Sequence, residues 1–119
     1  MENFPKYILK KSKDSEFIWI LCNSNKEVIL TSSETYSSKQ NALNSIVSSK
    51  KNIADMNFKR KNSTLGQPYF LQVAMNGEEL GKSQMYRTIQ DREEEIDAVK
   101  KNAVIARIDD LTSYFSKNI

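Results

Sequence analysis

Short segments that favour β-strands, most of them rich in apolar, β-branched or aromatic residues, form two sets of three along the chain. Runs of about four to eight such residues between turn signals are typical of strands. Polar residues that favour turns separate the segments. The pattern therefore predicts six β-strands, which are Lys6–Ser12, Glu16–Asn23, Glu27–Ser32, Asn57–Asn62, Pro68–Met75 and Glu78–Ser83.

The apolar period lengthens after each set of strands, beyond Tyr36 and Tyr86. Apolar residues then recur at the spacings of one helix face, which predicts a helix at the end of each set. The residues that carry this period are Leu43, Ile46 and Ile53 in the first set and Ile89, Ile96, Val99 and Ala103 in the second.

The residues at the ends of the two predicted helices are typical of helix caps. Ser37 or Ser38 is a suitable N-cap for the first helix, and Thr88 is one for the second. Asn52 and Asn102 follow a pair of lysines and fit the left-handed position that often ends a helix.

The two sets of elements repeat each other in sequence. At an offset of 51 residues the repeat aligns Tyr7 with Phe58, Trp19 with Phe70 and Asn25 with Asn76. From Ser33 onward the offset is 50, so that Ser33 aligns with Ser83, Tyr36 with Tyr86 and Ile46 with Ile96. One extra residue within Thr31–Thr35 accounts for the change. Units of this length rarely bury an apolar face alone, so the two copies are expected to share a core.

The sequence thus predicts an α+β fold in a single domain, residues 1–119, made of two βββα repeats at about 6–53 and 57–112. We expect an antiparallel sheet packed against two helices that lie on the same side, with the repeats related by a pseudo-twofold axis. Val104–Ile108 alternates and predicts a final edge strand, and Tyr114–Ile119 is expected to fray. The predicted core includes Trp19, Leu21, Ile46, Ile96 and Val99.

Two matched hairpin turns differ between the copies. Asn76-Gly77 is the sequence of a type I′ turn, in which both central residues need positive φ. Asn25-Lys26 stands at the same place in the first copy, where we expect a looser turn or one of another type.

Laid out in this way, the repeat resembles the small bacterial YegP-type repeat domain, which is often found as tandem copies. The resemblance covers about Lys6 to Thr112. It rests on Asn76-Gly77-Glu78, Ser83, Tyr86, Ile96, Val99 and Lys101-Asn102, and on their counterparts Asn25, Glu27, Ser32 or Ser33, Tyr36-Ser37-Ser38-Lys39, Ile46 and Lys51-Asn52. Lys26 and Gln72 depart from the pattern, as does the inserted residue. The resemblance implies three strands and a helix per copy, and it implies no activity, substrate or catalytic residue.

The composition argues against an enzyme and against a bound cofactor or metal. The chain has no histidine and one cysteine, so it lacks the usual general base and any thiolate metal site. Cys22 lies in an apolar run and is expected to be buried. The carboxylates of Glu93-Glu94-Glu95-Asp97 point around a helix, which favours a solvated face over a cation site.

The net charge of +3 and the absence of a signal-peptide pattern or a long apolar run favour an ordinary cytoplasmic protein. By elimination we predict a non-enzymatic binding or interaction module, with a protein partner or self-association. One alternative is weak nucleic-acid binding through the lysine-rich helix ends, Lys50, Lys51, Lys100 and Lys101. A second alternative is a small-ligand site between the repeats.

Two pairs of aromatic residues are candidates for either contact or packing. Tyr36 and Tyr86 occupy the strand-to-helix junction of each copy, where they either fix the entry of the helix or contact a ligand. Trp19 and Phe70 could stack bases on a sheet face, but their apolar flanks favour burial in the core.

Overall fold

A computed structural model of the chain describes residues 3–112. They form seven strands and two helices. In chain order these are β1 (Lys6–Lys11), β2 (Phe17–Cys22), β3 (Val28–Ser32), α1 (Lys39–Lys51), a short 3₁₀ turn (Asp55–Asn57), β4 (Phe58–Asn62), β5 (Pro68–Val73), β6 (Glu79–Lys82), α2 (Ile89–Ile105) and β7 (Arg107–Asp110).

All seven strands belong to one sheet with the order β4-β5-β6-β3-β2-β1-β7. All pairings among β1 to β6 are antiparallel, and β3 of the first repeat pairs with β6 of the second at the centre. Outward from this central pair, the third, second and first strands of each repeat follow in the same order. A twofold axis perpendicular to the sheet requires this arrangement. The predicted α+β fold of two tandem βββα units is therefore confirmed.

The final strand differs in detail from its prediction. Helix α2 continues through Val104 to Ile105, and the strand occupies Arg107–Asp110. It pairs with β1 in parallel, so the sheet is not wholly antiparallel. The segment Tyr114–Ile119, which was predicted to fray, lies outside the described residues.

Both helices pack on one face of the sheet and close a single core. Trp19, Leu21, Ile46, Ile96 and Val99 are all buried, as the pattern predicted. They form one apolar cluster that draws on both repeats. Within residues 3–112, neither helix is long and apolar enough to cross a membrane.

The hairpin turns of the two copies have the same geometry, contrary to both predictions. In the second copy the N–H of Gly77 donates to the carbonyl of Ala74 (2.9 Å), and Gly77 has a φ of +88° while Asn76 does not have a positive φ. This is a tight turn followed by a glycine bulge, and not a type I′ turn. In the first copy Lys26 takes the glycine position with a φ of +67°, and its N–H donates to Asn23 (3.0 Å).

The helix starts follow prediction and the helix ends do not. The hydroxyls of Ser38 and Thr88 cap α1 and α2. Asn52 ends α1 with a φ of −97°, outside the left-handed region, and its side-chain amide donates to the carbonyl of Ser48 (2.7 Å). Asn102 lies inside α2, which runs one turn further than the repeat predicts.

The inserted residue of the first copy is Ser33. The backbone N–H of Trp19 donates to the Ser32 hydroxyl (3.2 Å), and that of Phe70 donates to the Ser83 hydroxyl (2.9 Å). Ser32 is therefore the structural counterpart of Ser83. The alignment of Ser33 with Ser83 was wrong by one position.

The pseudo-twofold symmetry breaks where the two repeats meet. A Cβ on Gly81 would lie 2.7 Å from the Cγ of Leu30. These two residues align at the offset of 51, so one leucine fills the space next to the axis and glycine leaves room for it.

Candidate binding surface on the sheet

Lys50, one of the predicted interaction residues, is partly buried and turns back onto the protein. Its ammonium group donates to the carbonyls of Ala103 (3.1 Å) and Ala106 (2.5 Å) at the end of α2 and lies over the ring of Tyr7. Burial lowers the pKa of the lysine. Lys50 thus caps the helix of the other repeat, since the last carbonyls of a helix lack partners of their own.

Lys100 occupies the matching position in the second repeat. Its ammonium group lies 3.3 Å from a carboxylate oxygen of Asp55 and over the ring of Phe58. Arg60 pairs with the same carboxylate at 2.9 Å, and the two cations hold the pKa of Asp55 below its usual range. Of the four predicted lysines, the two that are exposed are Lys51 and Lys101. Their role in binding stays a prediction.

Tyr36 and Tyr86 join the sheet to the helices. The backbones of Tyr36 and Phe17 exchange two hydrogen bonds (2.7 and 2.8 Å). The N–H of Tyr86 donates to the carbonyl of Pro68 (2.8 Å), and proline has no N–H to return the bond. These contacts fix the entry of each helix. Whether either side chain contacts a ligand stays a prediction.

The structure places a pocket of about 280 Å³ between the repeats, where the second alternative predicted a ligand site. Residues of β3 and the end of β6 line it, among them Thr31, Lys82 and Ser83. The hydroxyl of the inserted Ser33 is buried there without a partner among residues 3–112. The pocket is shallow, and a hydroxyl and one lysine give it little selectivity.

The larger exposed feature is the face of the sheet that the helices leave free, which we call the outer face. Side chains alternate across a strand, so those flanking the core residues Tyr7 and Leu9 point outward. The strand registers place apolar side chains across the centre of this face. Val28 is exposed, Ile8, Ile18, Ile20 and Tyr69 are half-buried, and Cys22, Leu71 and Val73 are buried.

Basic side chains border the apolar centre of the outer face. By the same registers, Lys59 and Lys61 lie on β4 at one side, Lys6, Lys10 and Arg107 lie on β1 and β7 at the other, and Lys82 lies between them. Two acidic residues share the face, Glu79 and Asp109. Lys6 reaches Asp109 at 3.9 Å, with both side chains nearly half exposed, so the pair neutralises little.

A pocket of about 350 Å³ lies at the basic border near β1. Its apolar lining comes from Phe4, Ile8, Ile20 and Val28, and Lys6 and Lys26 line it as well. Cys22 also lines the pocket, and burial raises the pKa of the thiol. The thiol therefore stays protonated at neutral pH and offers an apolar surface rather than a nucleophile.

Sequence reasoning placed none of its candidate residues on the outer face. The alternation predicted which side chains share a face but not which face the helices would cover. One signal was available: Lys59, Arg60 and Lys61 are consecutive, and such runs of charge are common on edge strands.

The acidic run of α2 forms no metal site in the described structure. Within residues 3–112 no three acidic or thiol side chains converge as metal ligands do. Glu93 instead accepts hydrogen bonds from Arg60 (2.9 and 3.0 Å) and Arg92 (3.0 Å). Glu94 and Asp97 are exposed, whereas Glu93 and Glu95 are partly buried, so only part of the run is the solvated face that the sequence predicted.

Known proteins match this chain along most of its length. A UPF0339 protein of Bordetella pertussis is 39% identical over 107 residues, which are 89% of this chain and 96% of the relative. The UPF0339 protein YegP of Escherichia coli K12 is 39% identical over 105 residues, 87% of this chain and 94% of the relative.

Solved structures match the fold as well. The solution NMR structure of a UPF0339 protein from Shewanella oneidensis superposes with a TM-score of 0.85 at 36% identity and covers 91% of this chain and 92% of that one. The solution NMR structure of E. coli yegP, described as a protein of unknown function, also gives a TM-score of 0.85 at 36% identity, covering 94% and 97%.

The family model of DUF1508, a domain of unknown function, matches the chain twice, at residues 12–59 and 63–110. Each match covers the second and third strands and the helix of one βββα unit and ends in the strand that follows the helix, β4 or β7. The chain therefore belongs to the YegP-type family of tandem DUF1508 repeats, a family whose function is unknown.

Proposed function

We propose that this chain is a non-enzymatic interaction module whose outer sheet face binds an acidic, amphipathic segment of a protein partner. The observation that carries the proposal is the distribution of side chains on that face. Both helices cover the opposite face, and the outer face offers an apolar centre between two basic borders.

The apolar centre supplies the attraction that a protein segment needs. Ile8, Ile18 and Ile20 are only half-buried, and Val28 is exposed. Covering them removes apolar surface from water at roughly 25 cal/mol per Å². The pocket beside Phe4 has room for one aliphatic side chain of the partner.

The charges of the face select an acidic partner. Six basic side chains against two acidic ones give the outer face a net positive charge, which attracts carboxylates and repels basic proteins. The ammonium group of Lys82 lies over the ring of Tyr69, 5.3 Å from the ring centroid, so one of these positive charges borders the apolar centre directly.

The same face suits a protein better than a nucleic acid. Sheets that bind single strands offer exposed aromatic rings on which bases stack. Tyr69 is the aromatic residue that the strand registers place on this face, and a lysine lies over its ring. Isoleucine side chains have no flat surface for a base but pack well against leucine or valine.

The remaining chemistry of the chain also supports a module without catalysis. The sequence has no histidine, and burial raises the pKa of the thiol of Cys22. A cytoplasmic location suits a single cysteine, since reducing conditions keep an unpaired thiol free.

A titration followed by backbone amide NMR tests the proposal. The probe is a synthetic amphipathic helix with a leucine face and glutamate-rich flanks, and a duplex oligonucleotide of the same net charge is the comparison. We expect the peptide to shift amides of β1, β2 and β5, with an affinity that weakens as salt is added. Shifts confined to α1 and α2, or a duplex that binds the outer face more tightly than the peptide, would contradict the proposal.

A further inference from the structure

The two ends of the sheet are not equivalent. At one end β7 covers the edge of β1, where the N–H of Arg107 donates to the carbonyl of Pro5 (3.1 Å) and that of Leu111 donates to the carbonyl of Leu9 (2.9 Å). At the other end β4 is the last strand, and no further strand of residues 3–112 pairs with it. The twofold relation makes β4 the counterpart of β1, so one of two equivalent edges is open.

The exposure of matched residues follows this difference. Leu9 of β1 aligns with Arg60 of β4 at the offset of 51 residues. Leu9 is buried, whereas Arg60 is exposed, as are Lys59, Lys61 and Asn62. A partner can therefore reach four consecutive residues of the open edge.

The pairing of β5 shows which backbone groups of β4 are free. Phe70 of β5 faces β6, because its carbonyl accepts from the N–H of Ser83 (3.0 Å) and its own N–H donates to the Ser83 hydroxyl (2.9 Å). Its two neighbours therefore face β4, where they pair with Lys59 and Lys61. The alternate residues of β4 direct their backbone groups away from the sheet, and they are Phe58, Arg60 and Asn62.

The free backbone groups match a parallel strand. The N–H of Phe58 bonds to the carbonyl of Asp55, which leaves the carbonyl of Phe58, both groups of Arg60 and the N–H of Asn62. The carbonyl of Phe58 also accepts a long bond (3.4 Å) from the guanidinium of Arg60, and an oxygen can accept a second. A residue of a parallel neighbour donates to one edge residue and accepts from the residue two further on. The four groups thus serve two residues of an added strand.

The side chains of the edge indicate what the added strand carries. In the register of β7 on β1, Asp109 lies opposite Ile8 on the outer face. Ile8 aligns with Lys59, so the equivalent residue of an added strand lies beside Lys59, and the residue two further on lies beside Lys61. Neither lysine forms an ion pair within residues 3–112. Acidic side chains at these two positions therefore complement the edge.

We propose that the β4 edge binds an extended acidic segment of a partner protein, which joins the sheet as a parallel strand and places alternate acidic side chains beside Lys59 and Lys61. This site goes beyond the outer face, since it uses backbone groups at the end of the sheet. Strand β7 of a second copy fits less well. Lys39 pairs with Asp110 (2.5 Å) and holds β7 in its own copy, and β7 carries Leu111 at the second acidic position.

The test uses the extended peptide acetyl-Thr-Val-Glu-Thr-Glu-Val-amide, titrated into the whole protein and followed by amide NMR. We expect saturable shifts in β4 and, with the peptide in excess, slower hydrogen exchange at the amides of Arg60 and Asn62, which the added strand bonds. The amides of Lys59 and Lys61 already face β5, so their exchange should change little. The same peptide with lysine at both glutamate positions is the control and should not bind.

Two sets of variants test the backbone and the charges separately. Asn62→Pro removes one free N–H and leaves the pairing with β5, so it should weaken peptide binding about fivefold. Asn62→Ala keeps the N–H and should bind as the wild type does. The double variant Lys59→Gln, Lys61→Gln should also bind about fivefold more weakly at low salt, with a smaller dependence on salt.

Three results would overturn the proposal. The first is no saturable binding of the acidic peptide, which would show that the lysines only keep the edge from aggregating, as charges on edge strands do. The second is equal affinity of Asn62→Pro and Asn62→Ala, or shifts without slower exchange at Arg60. The third is a dimer in sedimentation whose Arg60 amide is already protected without peptide, which would identify a second copy as the occupant.

Discussion

The hydroxyl of Ser49 donates a hydrogen bond to the side-chain oxygen of Gln72 (2.6 Å) in the interior of the protein. The bond joins α1 of the first repeat to β5 of the second. Tyr7 donates to the same serine hydroxyl (2.7 Å), and the amide nitrogen of Gln72 donates to the carbonyls of Ser49 (2.9 Å) and Asn52 (2.8 Å). Gln72 is thereby fully satisfied, although its position predicts an apolar residue.

The symmetry-related positions, which also draw on both repeats, carry apolar residues in place of all three members of this polar triad. Leu21 aligns with Gln72, Val99 aligns with Ser49, and Phe58 aligns with Tyr7. All three are buried. All three positions are polar in one half of the core and apolar in the other. A single polar residue without the other two would be buried without a hydrogen-bond partner.

Changing one member of the triad should destabilise the protein more than changing all three. Ser49→Val leaves Tyr7 and Gln72 buried without their partner, and we expect a loss of about 1–3 kcal/mol in the free energy of unfolding. The triple variant Tyr7→Phe, Ser49→Val, Gln72→Leu copies the apolar half and should recover most of that loss. Urea denaturation measures both. A triple variant less stable than Ser49→Val would show that the two halves are not equivalent.

The matched turns predict opposite effects of glycine in the two repeats. Lys26 and Gly77 both have positive φ, which favours glycine. Gly77→Lys should lower the free energy of unfolding by about 1 kcal/mol. Lys26→Gly should raise it by roughly 0.5 kcal/mol, because the greater freedom of glycine in the unfolded chain offsets part of the gain. Thermal unfolding checks both, and a destabilised Lys26→Gly would mean that the lysine side chain contributes in its own right.

Adjacent lysines at the end of α1 should behave differently. Lys50→Met keeps the apolar stem but removes the donors that cap the carbonyls of Ala103 and Ala106, so we expect a loss of roughly 1–3 kcal/mol. Lys51→Met is the control, since Lys51 is exposed, and should change stability by less than about 0.5 kcal/mol. Chemical denaturation of the two variants gives the comparison. Equal losses would show that Lys50 stabilises the protein through the dipole of α1, as Lys51 can, and not through its hydrogen bonds to the end of α2.

Glu95 should make the stability of the protein depend on pH. Its pKa is raised in the folded state, first by burial and then by Glu27 and Glu94, so its ionised form disfavours folding. The unfavourable contribution is absent below the ordinary carboxylate pKa and develops as the pH rises through the folded pKa. Glu95→Gln should therefore melt higher than the wild type at pH 7, with a difference that shrinks towards pH 4.

The exposed Asp97 provides the control for this effect. Asp97→Asn removes one charge from the same helix at an exposed position, and at pH 7 it should change the melting temperature less than Glu95→Gln does. If Glu95→Gln and Asp97→Asn change the pH dependence of stability alike, that dependence comes from the net charge of α2 and not from the surroundings of Glu95.

The sequence carries most of the fold because period and caps are local properties. Short β-favouring segments between turn residues located six strands, and Ser38 and Thr88 are the N-caps that the sequence predicted. The end of α2 was missed because Asn102 lies inside the helix, where its side chain bonds to the carbonyl of Ala98 (2.6 Å) instead of ending the helix. The parallel pairing of β7 depends on a distant strand and leaves no local signal.

The candidate binding residues were harder to predict than the fold. Lys50 and Lys100 repeat in sequence, which suggested two similar basic spots on the surface. Their partners, the carbonyl of Ala106 and the carboxylate of Asp55, are distant in sequence and differ between the repeats. The outer face also could not be located, because alternation does not tell which side the helices cover.

The most direct test of the proposed outer face compares two sets of lysine substitutions with the same change in charge. One variant carries Lys10→Gln, Lys59→Gln and Lys82→Gln on the outer face. The other carries Lys13→Gln, Lys51→Gln and Lys101→Gln, which are exposed and lie off that face. The affinity of each for the acidic amphipathic peptide is measured by calorimetry at low and high salt.

We predict that the outer-face variant binds the peptide at least about tenfold more weakly and with a smaller dependence on salt, while the other variant keeps the affinity of the wild type. The opposite result, with full affinity in the outer-face variant and a loss in the variant that lacks Lys51 and Lys101, would contradict the account and favour the helix ends as the binding site.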